Sequence, residues 1–387
     1  MADAKVAPKN LMKKPPVKQD NKSNVDRILS ELSVPLFFAL LCLAGIIAAQ
    51  LNPRFLVNEI ITRLARNLFL VLSLIIPVIA GLGLNFGIVI GAMSGQAALI
   101  IVTHLGIGGL PGFLLAALIS VPFSVFLGWL TGLVLNRAKG REMVTGYILG
   151  FFANGVYQLF FLVLVGTLIP MNNPKMMLPS GIGLRNTMDL IAVNRALDRA
   201  LFSSLRLGPF QIPWATFLVI GALCLFTSYF TKTKLGQQMR AVGQDMHIAE
   251  VSGINVNRTR LIAIIISTVL GAWGQLIYLQ NLGTFNTYNS HEQVGMFSIA
   301  ALLIGGASIS KATIWNAIIG VLLFHTLFVV SPLAGQRILG IPQVGEYFRS
   351  FLAYGVIAVA LALHAWQSKK QAQHQAEEQS AQQAQED

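Results

Sequence analysis

Charged side chains are scarce in this chain of 387 residues, since Asp, Glu, Lys and Arg together make up only 11% of it. A typical soluble domain has about 25%. Hydrophobic residues reach 54%, so the composition excludes an ordinary soluble protein and indicates an integral membrane protein. The net charge is nevertheless +12. In such a protein this excess indicates cytoplasmic loops that face anionic membrane lipid, and no feature of the sequence indicates a nucleic-acid partner.

Cysteine is also nearly missing, and the two that occur, Cys42 and Cys224, sit inside apolar runs without metal-ligand spacing. The phosphate-binding pattern G-x(4)-G-K-[ST] is absent, because the small residues of 305–311 lack its spacing. That patch serves either close helix packing or ligand binding. No nucleophile and base stand in a recognisable arrangement. The sequence therefore predicts no catalytic residue, no metal site, no cofactor and no ATP hydrolysis by this chain.

Long apolar runs predict an all-α, polytopic transmembrane helical bundle of about ten spans, within a transmembrane domain at 34–366. A basic arm at 1–33, expected to be disordered, precedes it, and a tail at 367–387 follows. The positive-inside rule places both termini and the loop 231–260 in the cytoplasm. The predicted spans are 34–51, 68–83, 88–105, 112–135, 143–168, 212–230, 261–279, 296–309, 314–330 and 351–366.

The longest interruption, 169–211, falls on the outer side although it carries several basic residues, among them Arg195 and Arg199. Apolar residues recur through 187–205 at spacings that predict an amphipathic helix lying along this face. Long loops obey the positive-inside rule weakly, so these charges do not contradict the topology. A surface that contacts a partner would account for them.

A polar island runs from Lys232 to Arg260 between two apolar runs. Within it, Asp245 is a predicted helix N-cap and Gly253 a predicted C-terminal stop, which gives a helix of roughly two turns. Small and apolar residues are expected to be exposed there. The helix either packs on its own protein or docks a cytoplasmic partner.

The island resembles the cytoplasmic loop of ATP-binding-cassette importer permeases of the ribose, nucleoside and branched-chain amino acid type. The likeness rests on Gly236, on 239–243 and on 249–256, and it departs from the family pattern at Gln244-Asp245 and at Glu250. The residues that the resemblance marks for coupling to the ATPase are Met246, Ala249, Glu250, Val251, Ser252 and Gly253.

The resemblance implies a fold like that of type II importers in a bacterial cytoplasmic (inner) membrane, surrounded by lipid. It also implies three partners: a cytoplasmic ATPase that binds ATP and Mg²⁺, a second permease subunit, identical or paralogous, and an extracytoplasmic solute-binding protein. Two further patches, 81–87 and 141–149, resemble other segments of the family. The second is closer to nucleoside and simple-sugar permeases, although Gly150 replaces their usual Asn.

Ionisable residues are expected to be nearly absent from the span interiors, which argues against proton or sodium coupling. The predicted path residues are therefore neutral amides and rings: Asn85, Phe86, Asn154, Tyr157, Gln158 and Gln275. The alternatives are that the amides join helices to one another and that Asn85 belongs to a simple turn. Amides and rings suit a nucleoside or a simple sugar better than a branched-chain amino acid. The other alternative is a carrier or facilitator that works without an ATPase.

Overall fold

The computed structural model describes residues 24–171, 173–201, 206–207, 210–359 and 361–362. There the chain is a bundle of α-helices with short strands at one end, which confirms the all-α polytopic class. The helices are α1 Asn24–Ala49, α2 Pro53–Ser73, α3 Ile75–Ile79, α4 Ile88–His104, α5 Gly109–Arg137, α6 Glu142–Leu159, α7 Ala196–Leu201, α8 Trp214–Phe230, α9 Lys234–Gln244, α10 Met246–Val251, α11 Val256–Leu282, α12 Ser290–Ile304, α13 Ile314–Leu339 and α14, residues 342–359.

In the part of the chain that the structure describes, four short strands form two antiparallel pairs. Strand β1 (Thr187–Asp189) pairs with β4 (Thr284–Asn286), and β2 (Arg206–Leu207) pairs with β3 (Phe210–Gln211). The first pair ties the long segment after α6 to the connection between α11 and α12. A single π-helical turn, Phe160–Leu164, ends the α6 segment.

Six helical segments in the described part of the chain are long and apolar enough to cross a membrane, and a seventh span results if α8 and α9 count as one. The axes of α8 and α9 differ by 74°. Helix α4 is apolar but shorter, with 17 residues. The structure therefore supports a polytopic bundle, whereas the predicted number of ten spans is not confirmed.

Helix α11 forms the centre of the bundle and packs against α4 and α5. A Cβ atom at Gly91 of α4 would lie 2.4 Å from the carbonyl oxygen of Thr268, and one at Gly95 equally close to that of Ala272. No side chain fits at these distances, so the glycines let the two backbones approach, as small residues do in membrane helices.

Helices α12 and α13 meet in the same way. A Cβ atom at Gly305 would lie 1.8 Å from the carbonyl oxygen of Asn316, and the side chain of Asn316 donates a hydrogen bond to the carbonyl of Gly305 at 2.7 Å. The small residues that begin at Gly305 are thus used for close packing, which is one of the two alternatives stated above.

The predicted boundaries near the N-terminus are wrong in two places. Helix α1 starts at Asn24, so residues 24–33 are helical, while residues 1–23 of the predicted arm lie outside the described residues. The predicted tail, 367–387, lies outside them as well. Helix α2 starts at Pro53, because Asn52 caps it by accepting a hydrogen bond from the backbone N–H of Arg54 at 2.9 Å.

The early start of α2 corrects a second expectation. Glu59, Arg63 and Arg66 lie within the candidate span Pro53–Ile79, so charged residues do occur inside a span. They are accommodated because Arg63 pairs with Glu59 at 2.9 Å, and Arg66 lies over the ring of Tyr278 at 5.6 Å.

The amphipathic helix predicted over 187–205 is also wrong for 187–201, and residues 202–205 lie outside the described residues. The chain instead forms β1, a 3₁₀ turn at Ile191–Val193, and the six-residue helix α7. Leu190, Val193 and Leu197 are buried, whereas Ile191 is 75% exposed. Their spacing matches a helical period, yet the segment that buries them is a strand, a 3₁₀ turn and a short helix. At 187–189 the chain pairs with β4 as a strand and does not form the helix that the spacing predicted.

The bundle has two different ends. We call the first the α10 end; it holds the connections 138–141, 231–255 and 305–313. We call the second the strand end; it holds β1–β4 and the connections 165–213 and 283–289.

Candidate functional site

Helix α10 stands in the polar segment between α9 and α11. Asp245 caps it, because its carboxylate accepts hydrogen bonds from the backbone N–H groups of His247 and Ile248 at 2.8 and 2.9 Å. Gly253 has a φ of 81°, a left-handed conformation that favours glycine after a helix. The short helix and both of its predicted end residues are therefore present, and the contact of this helix with a partner stays a prediction.

The outward face of α10 is apolar at its centre. Ile248 is 64% exposed and Val251 is 77% exposed, and Glu250, Ser252 and Gly253 are exposed beside them. Ile248 was not among the predicted coupling residues, although its position three residues before Val251 places both on one helical face. An exposed apolar pair on a polar connection is suited to contact with another protein.

Ala249 faces the other way, so the expectation that it is exposed is wrong. It is 2% exposed and forms a small core with Val242 and Val256, against which Met246 packs. On a helix of six residues one face must cover the protein beneath it. Ala249 and Met246 therefore hold α10 in place, and the exposed residues are the ones able to meet a partner.

A glycine contact ties this segment to the bundle. A Cβ atom at Gly243 of α9 would lie 2.2 Å from the carbonyl oxygen of Ile79, and one at Gly81, where φ is 72°, would lie 2.8 Å from Gly243 Cα. The two backbones touch, so α9 contacts the end of α3 without an intervening side chain.

A buried ion pair makes a second connection, which sequence reasoning missed. Arg260 of α11 is fully buried, and its Nη2 lies 2.5 Å from Oε1 of Glu142, the first residue of α6. Its Nη1 donates to the sulfur of Met246 at 3.0 Å. Arg260 therefore joins α10, α11 and α6. The available signal was that both charges stand beside apolar runs, where a charge that becomes buried requires a partner.

A groove between α4, α6, α12 and α14 has a volume of about 280 Å³. We call it the ring groove, since the rings of Phe86, Tyr147, Phe151 and Tyr354 border it together with the carboxylate of Glu292. The ring centroids of Phe86 and Tyr147 are 5.6 Å apart, and those of Tyr147 and Phe151 are 4.7 Å apart, both edge-to-face.

Glu292 is a polar lining residue of the ring groove, and it lies between the predicted spans 261–279 and 296–309. Helix α12 begins at Ser290, six residues before the predicted span, so Glu292 belongs to its first turn. The side-chain amide of Asn154 donates to Glu292 Oε1. His291 Nε2 lies 2.9 Å from Asn154 Oδ1, and Gln158 donates to the same oxygen at 3.4 Å. The structure thus brings Asn154 and Gln158 together, as their spacing predicted.

The remaining predicted path residues have other surroundings. Tyr157 is 8% exposed, with its ring centroid 4.9 Å from that of His291. Asn85 accepts a hydrogen bond from Gly87 N at 3.0 Å and donates one to Ser267 Oγ at 3.2 Å, so its amide serves the turn. Gln275 is fully buried in α11 and is not a lining residue of the ring groove.

The strand end carries a second, polar cleft of about 410 Å³, bordered by Arg195, Asp198 and Arg199. Burial raises the pKa of the Asp198 carboxyl above its usual value, although hydrogen bonds from Thr216 act in the opposite direction. Those bonds come from the backbone N–H and the hydroxyl of Thr216, each 3.1 Å from Asp198 Oδ1. Arg195 and Arg199 are exposed at this cleft. Among the described residues, no group of three or more His, Cys, Asp or Glu side chains stands ready for a metal ion.

Comparison with known proteins identifies a matching family and individual relatives. The family described as "Branched-chain amino acid transport system / permease component" matches residues 56–361 of this chain. The nucleoside ABC transporter permease protein NupB of Lactococcus lactis subsp. cremoris is 26% identical over 223 residues, which are 56% of this chain and 54% of NupB. The galactose/methyl galactoside import permease protein MglC of Salmonella typhimurium is 28% identical over 159 residues, 41% of this chain and 45% of MglC.

A third relative, the xylose transport system permease protein XylH of Haemophilus influenzae, is 29% identical over 182 residues, 44% of this chain and 46% of XylH. The chain spans about half the length of the curated relatives it matches. No solved structure matches it.

Proposed function

Since this chain belongs to the family of branched-chain amino acid transport system permease components, we propose that it is the transmembrane subunit of an ATP-driven importer. In this proposal it forms the translocation path for a small polar solute. A separate cytoplasmic ATPase binds ATP and Mg²⁺, a second permease subunit completes the path, and an extracytoplasmic solute-binding protein delivers the cargo.

The observation that carries the proposal is the construction of the α10 end. Ile248 and Val251 form an exposed apolar pair on α10. The inner face of this helix packs through Ala249, and Arg260 contacts both Met246 of α10 and Glu142 of α6. Helix α6 forms one wall of the ring groove. A partner that binds the exposed pair can therefore move this wall. That is the arrangement required of a subunit that receives mechanical work from an ATPase.

Basic residues at the α10 end, among them Arg137, Lys139 and Arg258, support its placement in the cytoplasm. The proposal accordingly puts the strand end outside, both termini in the cytoplasm and the chain in a bacterial inner membrane. The cleft with Arg195 and Arg199 is then the surface that meets the solute-binding protein.

For the cargo we infer a nucleoside or a simple sugar rather than a branched-chain amino acid. Relatives named for nucleosides, galactose and xylose support this, as do the rings and amides at the groove. A zwitterionic amino acid needs both of its charges matched inside the membrane, and the groove has no basic lining residue among those the structure describes.

Uptake competition tests the proposal in cells that carry the complete transporter. Excess uridine, adenosine, xylose and galactose are each compared with excess leucine as competitors of labelled solute. We expect competition by a nucleoside or a sugar and none by leucine. Competition by leucine alone would overturn the cargo, and uptake that persists when the ATPase subunit is inactivated would overturn the importer in favour of a carrier.

A further inference from the structure

We propose that Glu292 is the hydroxyl-binding group of the translocation path and that it takes a vicinal diol on a neutral sugar ring. The ring belongs to a free sugar or to the ribose of a nucleoside. This inference rests on the proposed function and adds the residue that recognises the solute inside the membrane subunit.

The position of the carboxylate is the first support. Glu292 lies in the first turn of α12 and borders the ring groove, where leaving a charged group costs free energy unless it has polar partners. One oxygen, Oε1, is bound by the amide of Asn154. The structure shows no hydrogen bond to the second oxygen, Oε2, from any residue that it describes. One acceptor is therefore fixed in direction and the other is available to a solute.

The network behind Asn154 holds this geometry. His291 is fully buried, and its Nε2 meets Asn154 Oδ1 at 2.9 Å, while Gln158 donates to the same oxygen. With its oxygen occupied by these two donors, the Asn154 amide is oriented so that its NH₂ group faces Glu292. A glutamate held in this way has lost much of its rotamer freedom before a solute arrives, which lowers the entropic cost of binding.

The surroundings select the class of solute. Four rings border the groove, and they offer flat apolar faces to the C–H face of a sugar or to a base. No basic residue lines the groove among the described residues, so an anionic solute would meet only a negative charge. A carboxylate accepts hydrogen bonds from two adjacent hydroxyls, and such charge-assisted bonds are the stronger kind. The groove volume of about 280 Å³ is near the lower bound, about 300 Å³, of small-molecule sites.

A cation is the other solute that rings and a carboxylate can hold. The observations favour the diol, because the amide of Asn154 already takes one carboxylate oxygen and would itself be an additional donor for a hydroxyl oxygen. The experiment below separates the two.

The test uses the complete transporter, with its ATPase and binding protein, in proteoliposomes. The variant is Glu292→Gln, which keeps the shape and removes the charge. The probes are uridine and 2′,3′-dideoxyuridine for nucleoside uptake, and methyl galactoside and methyl 3-deoxygalactoside for sugar uptake. The second compound of each pair has no two hydroxyls on adjacent ring carbons. Choline is the cationic probe. Glu346→Gln is the matched control, since Glu346 is a half-exposed carboxylate outside the groove, paired only loosely with Arg349 at 3.7 Å.

We expect Glu292→Gln to lower kcat/KM for the hydroxylated probe roughly tenfold, because a charge-assisted hydrogen bond becomes a neutral one. For the deoxygenated probe we expect a change below about twofold, and for Glu346→Gln a change below about twofold with either probe. Copurification of the ATPase with the variant shows that it is assembled.

Equal loss on both probes would overturn the role of Glu292 and leave the importer standing. Selective loss of choline uptake in the variant would overturn the diol in favour of a cation. If the unaltered transporter takes up leucine but no nucleoside or sugar, the cargo of the proposed function is wrong, and that outcome is seen before any variant is made.

Discussion

The two ends of the bundle differ in how they are attached to its helices. At the α10 end, a small core of Val242, Ala249 and Val256 packs the six-residue helix α10 against its neighbours. The glycine contact between α9 and α3 and the Arg260–Glu142 pair connect this region to the helices of the bundle. At the strand end, a segment of more than thirty residues is held by β-pairing and by backbone hydrogen bonds, such as Arg195 N to Gln280 O at 2.9 Å. The first attachment consists of side-chain packing, a close backbone contact and an ion pair, whereas the second consists mainly of backbone hydrogen bonds.

The largest effect on the difference between the two ends is expected from replacing Arg260, which removes the ion pair of the α10 end. In Arg260→Met, Glu142 is left without its cation at a site where its side chain is only 10% exposed, which costs about 3 kcal/mol. We expect a lower thermal unfolding temperature of the purified transporter and more ATP hydrolysed per solute imported. Scanning calorimetry and a coupled uptake assay measure the two effects.

Two variants control for this loss. Arg258→Met makes the same change at an exposed position of the same helix and should stay within about 0.5 kcal/mol of the parent. The double variant Glu142→Leu with Arg260→Met removes both charges and should recover most of the stability but not the coupling. Recovery of both would mean that the pair only stabilises the fold.

The next largest effect is expected on the exposed face of α10. Ile248→Asp and Val251→Asp each remove an apolar side chain that a partner would bury, worth about 1.5–3 kcal/mol, so the affinity for the ATPase should fall roughly tenfold or more. Titration of the ATPase onto the membrane subunit in nanodiscs gives the affinity. Ile191→Asp, an equally exposed apolar residue at the strand end, should leave it unchanged; a matching loss there would abolish the distinction between the ends.

A smaller effect is expected at the strand end. Reversing Arg195 and Arg199 to Glu should weaken docking of the solute-binding protein several-fold at low salt, since exposed charges contribute about 0.2–1 kcal/mol each. The difference should vanish at high salt because of screening. Lys139→Glu reverses a charge at the α10 end and should not alter docking. Equal docking by all variants at low salt would remove this surface from the interface.

The smallest effect concerns pH and Asp198. Burial raises the pKa of this carboxyl in the folded chain, so the folded state binds its proton more tightly than the unfolded state does. Stability from this group is therefore gained as pH falls through the raised pKa and lost as pH rises through it. Asp198→Asn should flatten the pH dependence of the thermal unfolding temperature in the weakly acidic range. An unchanged profile would show that Asp198 is not responsible.

Much of the α10 end could be predicted from the sequence because its signals are local. Asp245 and Gly253 act within a few residues of their own positions, through a cap and a left-handed turn. The burial of Ala249 could not be predicted in the same way, since on a two-turn helix any face can be the inner one. The Arg260–Glu142 pair joins residues 118 positions apart, and nothing in either local pattern identifies the other.

The strand end shows a different limit. Its apolar spacing fits a helix over 187–205, but three residues there pair with β4 across nearly one hundred positions of chain. The pairing of a strand depends on its distant partner. The sequence of the strand itself therefore shows no local period that distinguishes a strand from a helix of the same composition. The position of Glu292 on a helix could not be predicted for a related reason, since α12 begins in polar residues before the predicted apolar span. The amide pair Asn154 and Gln158 was predictable because both lie on one helix.

The most direct test of the account is a photocrosslinking measurement on the intact transporter. A benzophenone amino acid replaces Val251 in one preparation and Ile191 in another, the two being 77% and 75% exposed at opposite ends. The account predicts that position 251 crosslinks to the ATPase and position 191 does not. A crosslink from 191 to the ATPase, or from 251 only to the solute-binding protein, would contradict it.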